Sequence, residues 1–197
     1  MSASNTLEYI CAARAVSFNR YSQSRYIKQK GLVNSSGICY ALSIFYLTCH
    51  KKSWNFKAEL DDAATSNFVD KLQSVLNSVN PAPGKFPLIP ERIENGIKTA
   101  GLDIKGISPP AKVPFSVLSS YIVQHVGGYA ILLPNHAIAA IHKADGSYEL
   151  FDPNFGRAKF SRVAGFTSAL EFFLSDLKIM QLYELRDGDP ALCLRIV

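Results

Sequence analysis

The sequence predicts an α+β fold, a helical first part followed by a mostly antiparallel sheet. Up to about residue 125, apolar residues recur at helical spacing between breaks rich in proline, glycine and asparagine. From Tyr129 onward the period becomes two, as in strands. Helices in one block and strands in another is the order of an α+β domain, not the alternation that builds a parallel sheet.

A chain of 197 residues and 21.7 kDa is long enough for one sizeable core. Its 48% hydrophobic and 19% charged residues exclude a disordered chain. Residues 1–30 read as a basic N-terminal arm and 31–197 as a single domain. In the arm, Arg14, Arg20, Arg25, Lys28 and Lys30 face one acid, Glu8, a charge pattern suited to an acidic membrane surface. No nucleic-acid motif accompanies it, so nucleic acid is not expected as a partner. No segment has the length and apolarity of a membrane span, and no general export signal is expected.

Taken in order, Ser35 or Ser36 is placed to cap a helix that carries Ile38, Leu42, Phe45 and Cys49 on one stripe. A long helix is expected from Ala58 to Val79, with Phe68, Leu72, Val75, Leu76 and Val79 as its apolar face, ended by Asn80-Pro81-Ala82-Pro83-Gly84. Pro90 starts a helix to Ala100, stopped at Gly101, and Pro114 opens another to His125, closed by Gly127-Gly128. Strands follow at Tyr129–Leu133, Ala137–Lys143 and Ser147–Asp152. Ser168-Ala169-Leu170-Glu171 reads as a capping box opening a helix to Lys178. Last come strands at Gln181–Leu185 and Ala191–Val197, joined by a turn at Asp187-Gly188-Asp189.

Cys39 falls in the first turn of its helix, where free N–H groups and the positive dipole end favour a thiolate. A free helical cysteine is ordinarily a small buried apolar residue, so the residues that could serve it decide its meaning. Cys11, Cys49 and Cys193 have no paired spacing with it or each other, and neither metal nor cofactor is expected. Of the four histidines, His50 lies eleven residues along the same helix and points away, and His125 sits at a helix C-terminus. His136 and His142 share one face of a strand.

A three-residue loop at Ala144-Asp145-Gly146 would pair Ile138 with Asp152 and set the carboxylate diagonally beside His136. A two-residue loop would turn Asp152 to the other face. The favoured register places His142 opposite Tyr148 with no such carboxylate at hand, as a surface or packing residue. Asp152 also begins Asp152-Pro153-Asn154-Phe155-Gly156, a turn sequence it could merely cap. A thiol, an imidazole and a carboxylate in this order make nucleophile, base and orienting group.

Gly37-Ile38-Cys39-x-x-Leu42, His136-Ala137-Ile138-Ala139 and Phe151-Asp152-Pro153-Asn154-Phe155-Gly156 together resemble the YopT and AvrPphB type of papain-like cysteine peptidase. The match runs from about Asn34 to Gly156 and includes the spacing 152 − 136 = 16. The resemblance implies a papain-like fold, with Cys39 as nucleophile, His136 as base and acid, Asp152 as its orienting group, and an oxyanion hole from the Cys39 N–H and the Asn34 side chain. It departs from the pattern where tryptophan commonly follows the nucleophile, since Tyr40, Phe45 and Tyr46 stand there instead. It further implies a bacterial effector or toxin peptidase, secreted and delivered into the host cytosol, acting on a host protein such as a prenylated Rho-type GTPase or a kinase. The same triad would serve a glutamine deamidase, transglutaminase or acyltransferase, and a chain that had lost the chemistry would remain as a binding module.

Overall fold

The computed structural model describes residues 8–10, 14–34, 37–77, 91–108, 111–112, 116–186 and 189–196. The strands are β1 (Ser17–Arg20), β2 (Ile104–Ile107), β3 (Ala111–Lys112), β4 (Gly127–Leu133), β5 (His136–His142), β6 (Tyr148–Asp152), β7 (Gly156–Phe160) and β8 (Pro190–Ile196). They lie in the order β1-β7-β6-β5-β4-β8-β2, with β3 pairing β8, and every pairing is antiparallel. The helices are α1 (Gln23–Lys30), α2 (Cys39–Lys51), α3 (Phe56–Asp61), α4 (Ala63–Asn77), α5 (Glu91–Thr99), α6 (Ser116–Gln124), α7 (Val163–Ser175) and α8 (Leu177–Leu182).

Helices cover both faces of the sheet. Ala137, Ala139 and Ile141 of β5 pack with α2, α4 and α5, while Ile138 and Ala140 pack with α6, α7 and α8. Because both faces are covered, β4 and β5 read as nearly continuous apolar runs, without the polar alternation of a half-solvated strand. The helix α2 is buried along almost its whole length, from Cys39 to Cys49, rather than along one stripe. A helix apolar all round belongs in the centre of a protein, and this one carries the nucleophile candidate into the middle of the fold.

Part of the expected arm is folded. β1 pairs with β7, and α1 is capped by Ser22, whose hydroxyl accepts the Arg25 N–H. Several of the arm's cations are engaged locally: Arg14 donates to Ser168 Oγ at 3.0 Å and lies over the Phe172 ring, Arg20 pairs with Glu8, and Lys30 donates to the Asp61 carbonyl at 2.8 Å.

The expected long helix is two, because Asp62 takes extended backbone and its carboxylate accepts the Thr65 N–H at 2.8 Å, ending α3 and starting α4. The inward face of α4 is Ser66, Val69, Leu72 and Gln73, and Val75 of the expected stripe is exposed. Gly127 and Gly128 open β4 instead of only closing a helix. Ser168 sits inside α7, which begins at Val163, so its hydroxyl receives Arg14 and caps nothing. Asp176 separates α7 from α8 by accepting the Lys178 and Ile179 N–H groups at 2.9 and 3.2 Å. The expected strand at Gln181–Leu185 is therefore the end of α8 and its cap. Pro90, Pro114, Val79, residues 80–84, Ser35, Ser36, Asp187 and Gly188 lie outside the described residues.

Candidate active site

Without a side-chain cap at Ile38, the start of α2 is held by two glutamines from elsewhere. Gln23 Oε1 accepts the Ile38 N–H at 2.9 Å, and Gln73 Oε1 accepts the Ala41 N–H at 3.0 Å. Both are buried polar residues whose amides do the work a serine cap would otherwise do. Cys39 stands between the two contacts, on the first turn.

The hairpin β5–β6 has the three-residue loop. Lys143 N–H donates to the Ser147 carbonyl at 2.9 Å, Gly146 adopts φ +78°, and His142 stands opposite Tyr148. Continued by one step beyond Ala139 and Phe151, that register aligns Ile138 with Asp152. His136 and Asp152 thus share a face, and His136 Nε2 lies 3.1 Å from Asp152 Oδ2. The Cys39 sulfur also acts on the same imidazole and favours its charged form. With Nε2 on Asp152, Nδ1 is the ring nitrogen left for the sulfur. The ring lies on the α7 and α8 side of the sheet, and the sulfur comes from the α2 side, so they meet at the end of β5.

Asp152 does both things its sequence context suggests. Oδ1 accepts the Asn154 N–H at 2.7 Å and caps the turn, while Oδ2 faces His136. Burial pushes the His136 imidazole down, but the Asp152 carboxylate and the Cys39 sulfur outweigh it and raise it to about 9. An imidazole so raised is cationic at neutral pH. Exposure falls from 8% at Cys39 to 2% at His136 and 0% at Asp152, so the sulfur is the outermost of the three.

Asn34 is placed differently from the other expected residues. Its Nδ2 donates to Asp70 Oδ1 at 2.6 Å, to the Asp70 carbonyl at 2.8 Å and to Ser74 Oγ at 3.1 Å, tying the loop before α2 to α4. Burial would raise the Asp70 carboxyl, but donors from Asn34 and Val33 hold it below its ordinary range. His142 is a packing residue, stacked on Tyr148 with Nδ1 at the Ile122 and His125 carbonyls, and His50 is exposed.

Tyr183, Gln23 and Gln73, three residues at the site, were not found from sequence. Tyr183 stacks on the His136 ring, with centroids 3.9 Å apart and planes at 15°, and its hydroxyl donates to Asp152 Oδ2 at 2.7 Å. Gln23 bridges Ile38 to the Asn154 side chain, with Nε2 2.7 Å from Asn154 Oδ1. No local motif marks a tyrosine at a helix end or a glutamine in a polar helix. Among the described residues no group of His, Cys, Asp and Glu could hold a metal ion.

With the geometry in hand, residues 129–187 match the family model Peptidase_C58, described as Yersinia/Haemophilus virulence surface antigen. The fold is similar to the crystal structure of the Pseudomonas avirulence protein AvrPphB, with a TM-score of 0.57 and 18% identity over 95% of this chain and 99% of that one. It is also similar to PatoxP, a cysteine protease-like domain of the Photorhabdus asymbiotica toxin PaTox, with a TM-score of 0.53 and 13% identity over 98% of this chain and 57% of that one. No curated protein sequence matches. The fold is the papain-like one that the resemblance implied, and the family match falls on the stretch holding His136, Asp152 and Tyr183.

Proposed function

We propose, from its place with the YopT and AvrPphB type of peptidase, that this chain is a bacterial virulence cysteine endopeptidase, delivered into the host cytosol, that cuts a host protein through Cys39, His136 and Asp152. One observation carries the reading: a buried imidazole held by Asp152 at 3.1 Å, whose proton affinity is raised by that carboxylate and by the Cys39 sulfur. The attacking form of the sulfur is the thiolate, formed when the imidazole takes the thiol's proton.

The thiolate adds to the peptide carbonyl carbon, and the negative charge passes to the carbonyl oxygen. His136 gives its proton to the departing nitrogen as the C–N bond breaks, leaving a thioester on Cys39 and a free amine. Water then attacks the thioester carbonyl, His136 takes its proton, and the C–S bond breaks to release the acid and restore the pair. Asp152 keeps the ring turned toward the sulfur throughout. The Cys39 N–H is one donor to the oxyanion. Asn34 is the second, on condition that its amide leaves Asp70.

N-terminal labelling of host-cell proteins exposed to the wild type and to Cys39→Ala tests the reading. New chain ends that appear only with the wild type are expected, whereas a target gaining about one dalton without scission would mark a deamidase. Cleavage retained in full by Cys39→Ala would end the assignment.

A further inference from the structure

We infer that Tyr183 is a positioning residue for the His136–Asp152 pair, presented by a strained turn at Glu184. The inference rests on the peptidase reading for its purpose, though not for its test. Tyr183 is 3% exposed and makes two different contacts to the pair, the ring stack on His136 and the hydroxyl bond to Asp152. The hydroxyl meets Oδ2, the oxygen that also faces His136 Nε2. Burial and the adjacent carboxylate hold the phenol well above its ordinary range, so it stays protonated and remains a donor.

The backbone around Tyr183 is shaped for this placement. Glu184 N–H donates to the Gln181 carbonyl at 3.2 Å and Leu185 N–H to the Met180 carbonyl at 2.8 Å, the paired bonds of a Schellman end to α8. The left-handed position of that motif ordinarily holds glycine, but here Glu184 occupies it at φ 54°. Ser53 and Glu184 are the two non-glycine residues with positive φ among the described residues. In return for the strain, Glu184 Oε2 accepts Asn135 Nδ2 at 3.2 Å, and Asn135 immediately precedes His136. Residues 183–184 therefore grip residues 135–136 twice, once through rings and once through side-chain polar groups.

A tyrosine wanted only for the core would pack equally well without its hydroxyl. Here the hydroxyl shares the charge of Oδ2 with the imidazolium. Removing it leaves Oδ2 with the imidazolium as its named donor, which strengthens that bond and raises the imidazole further.

The test uses the full chain. NMR titration of the His136 imidazole, assigned with His136→Ala, is compared among wild type, Tyr183→Phe and Tyr183→Leu, alongside thermal midpoints and the peptide-resolved alkylation rate of Cys39 by iodoacetamide. For Tyr183→Phe, which keeps the ring, the His136 midpoint is expected to rise by at least about half a pH unit, roughly a threefold change in proton affinity, with little loss of thermal stability. For Tyr183→Leu, Cys39 alkylation at pH 7 is expected to fall by about tenfold as the ring loses its stack. A Tyr183→Phe titration that superimposes on the wild type, with only a lowered thermal midpoint, would make Tyr183 an ordinary core residue. If Tyr183→Leu does not fold, Tyr183→Phe decides. Wild-type Cys39 alkylated no faster than Cys11 would instead end the peptidase reading, and the His136 titration would still report on Tyr183.

Discussion

His142 stands directly opposite Tyr148, their rings stacked 4.4 Å apart at 21°. That pair, outside the candidate site, records the register on which the site depends, because a slip by one residue sends every side chain of a strand to the other face. Deleting Ala144 would shorten the loop to two residues and turn Asp152 away from His136. The expected result is at least a tenfold loss of Cys39 alkylation at pH 7, roughly the gap between an activated and an ordinary thiol. Gly146→Ala, at φ +78°, should cost about 1 kcal/mol in urea denaturation and leave the alkylation profile in place.

The His136 imidazole is raised from 6.5 to about 9 in the folded chain. A group raised on folding stabilises fully below its unfolded value, and that contribution is lost as pH rises through the folded value. The wild type should therefore exceed Asp152→Asn in thermal midpoint at pH 6, with the difference shrinking between pH 6.5 and 9. Cleavage should decline on the alkaline side of the same window, since the proton given to the leaving amine is then gone. A thermal difference that widened toward pH 9 would contradict the imidazolium–carboxylate pairing.

Gly156 admits no side chain. A Cβ there would lie 2.1 Å from the Asn19 carbonyl oxygen and 2.9 Å from Arg20 Cα and Tyr21 N, all backbone atoms, at φ +131°. Gly156→Ala must push β1 off β7, and a loss of about 2–3 kcal/mol is expected by urea denaturation. Amide exchange should quicken first in residues 17–20, the β1 segment.

Gln23 joins the two halves of the site, receiving Ile38 at the start of the Cys39 helix and donating to Asn154 beyond Asp152. Its own N–H donates to the Pro153 carbonyl at 2.7 Å. Gln23→Ala should lower Cys39 alkylation and substrate cleavage together by about tenfold, because sub-ångström drift between nucleophile and base is enough for such a loss. A fall in stability with unchanged Cys39 reactivity would show that Gln23 braces the fold alone.

Much of the site was legible because its geometry is local. Gly146 in a three-residue loop fixes which residue faces which across β5 and β6, and that suffices to bring Asp152 to His136. Cys39 at the start of an apolar helix was legible for the same reason. What was not legible depends on packing between distant segments. Gln23 holds the N-cap of a helix fifteen residues later, Ile38, as 38 − 23 = 15. Tyr183 arrives through a left-handed turn at a glutamate, where sequence rules look for glycine. The stretch Gln181–Leu185 alternates well enough to pass for a strand, and only Asp176 as a cap, together with the core around Ile179 and Tyr183, makes it a helix end. The basic segment before residue 30 resembles a solvated arm in composition, yet β7 supplies a free edge that β1 completes.

Asn34 offers the sharpest remaining distinction. Its amide is bound to Asp70 and Ser74, so an oxyanion role requires that amide to exchange Asp70 for the developing negative oxygen during attack. An oxyanion-hole donor contributes most in the transition state, and Asn34→Ala should then lower kcat by about a hundredfold with little change in KM. Asp70→Ala frees the amide at the cost of the strap between the loop and α4. It should reduce stability by about 1–2 kcal/mol while leaving kcat within roughly threefold of the wild type. If both substitutions instead lower stability alike and leave kcat alone, Asn34 is a strap and the Cys39 N–H must act with a different second donor.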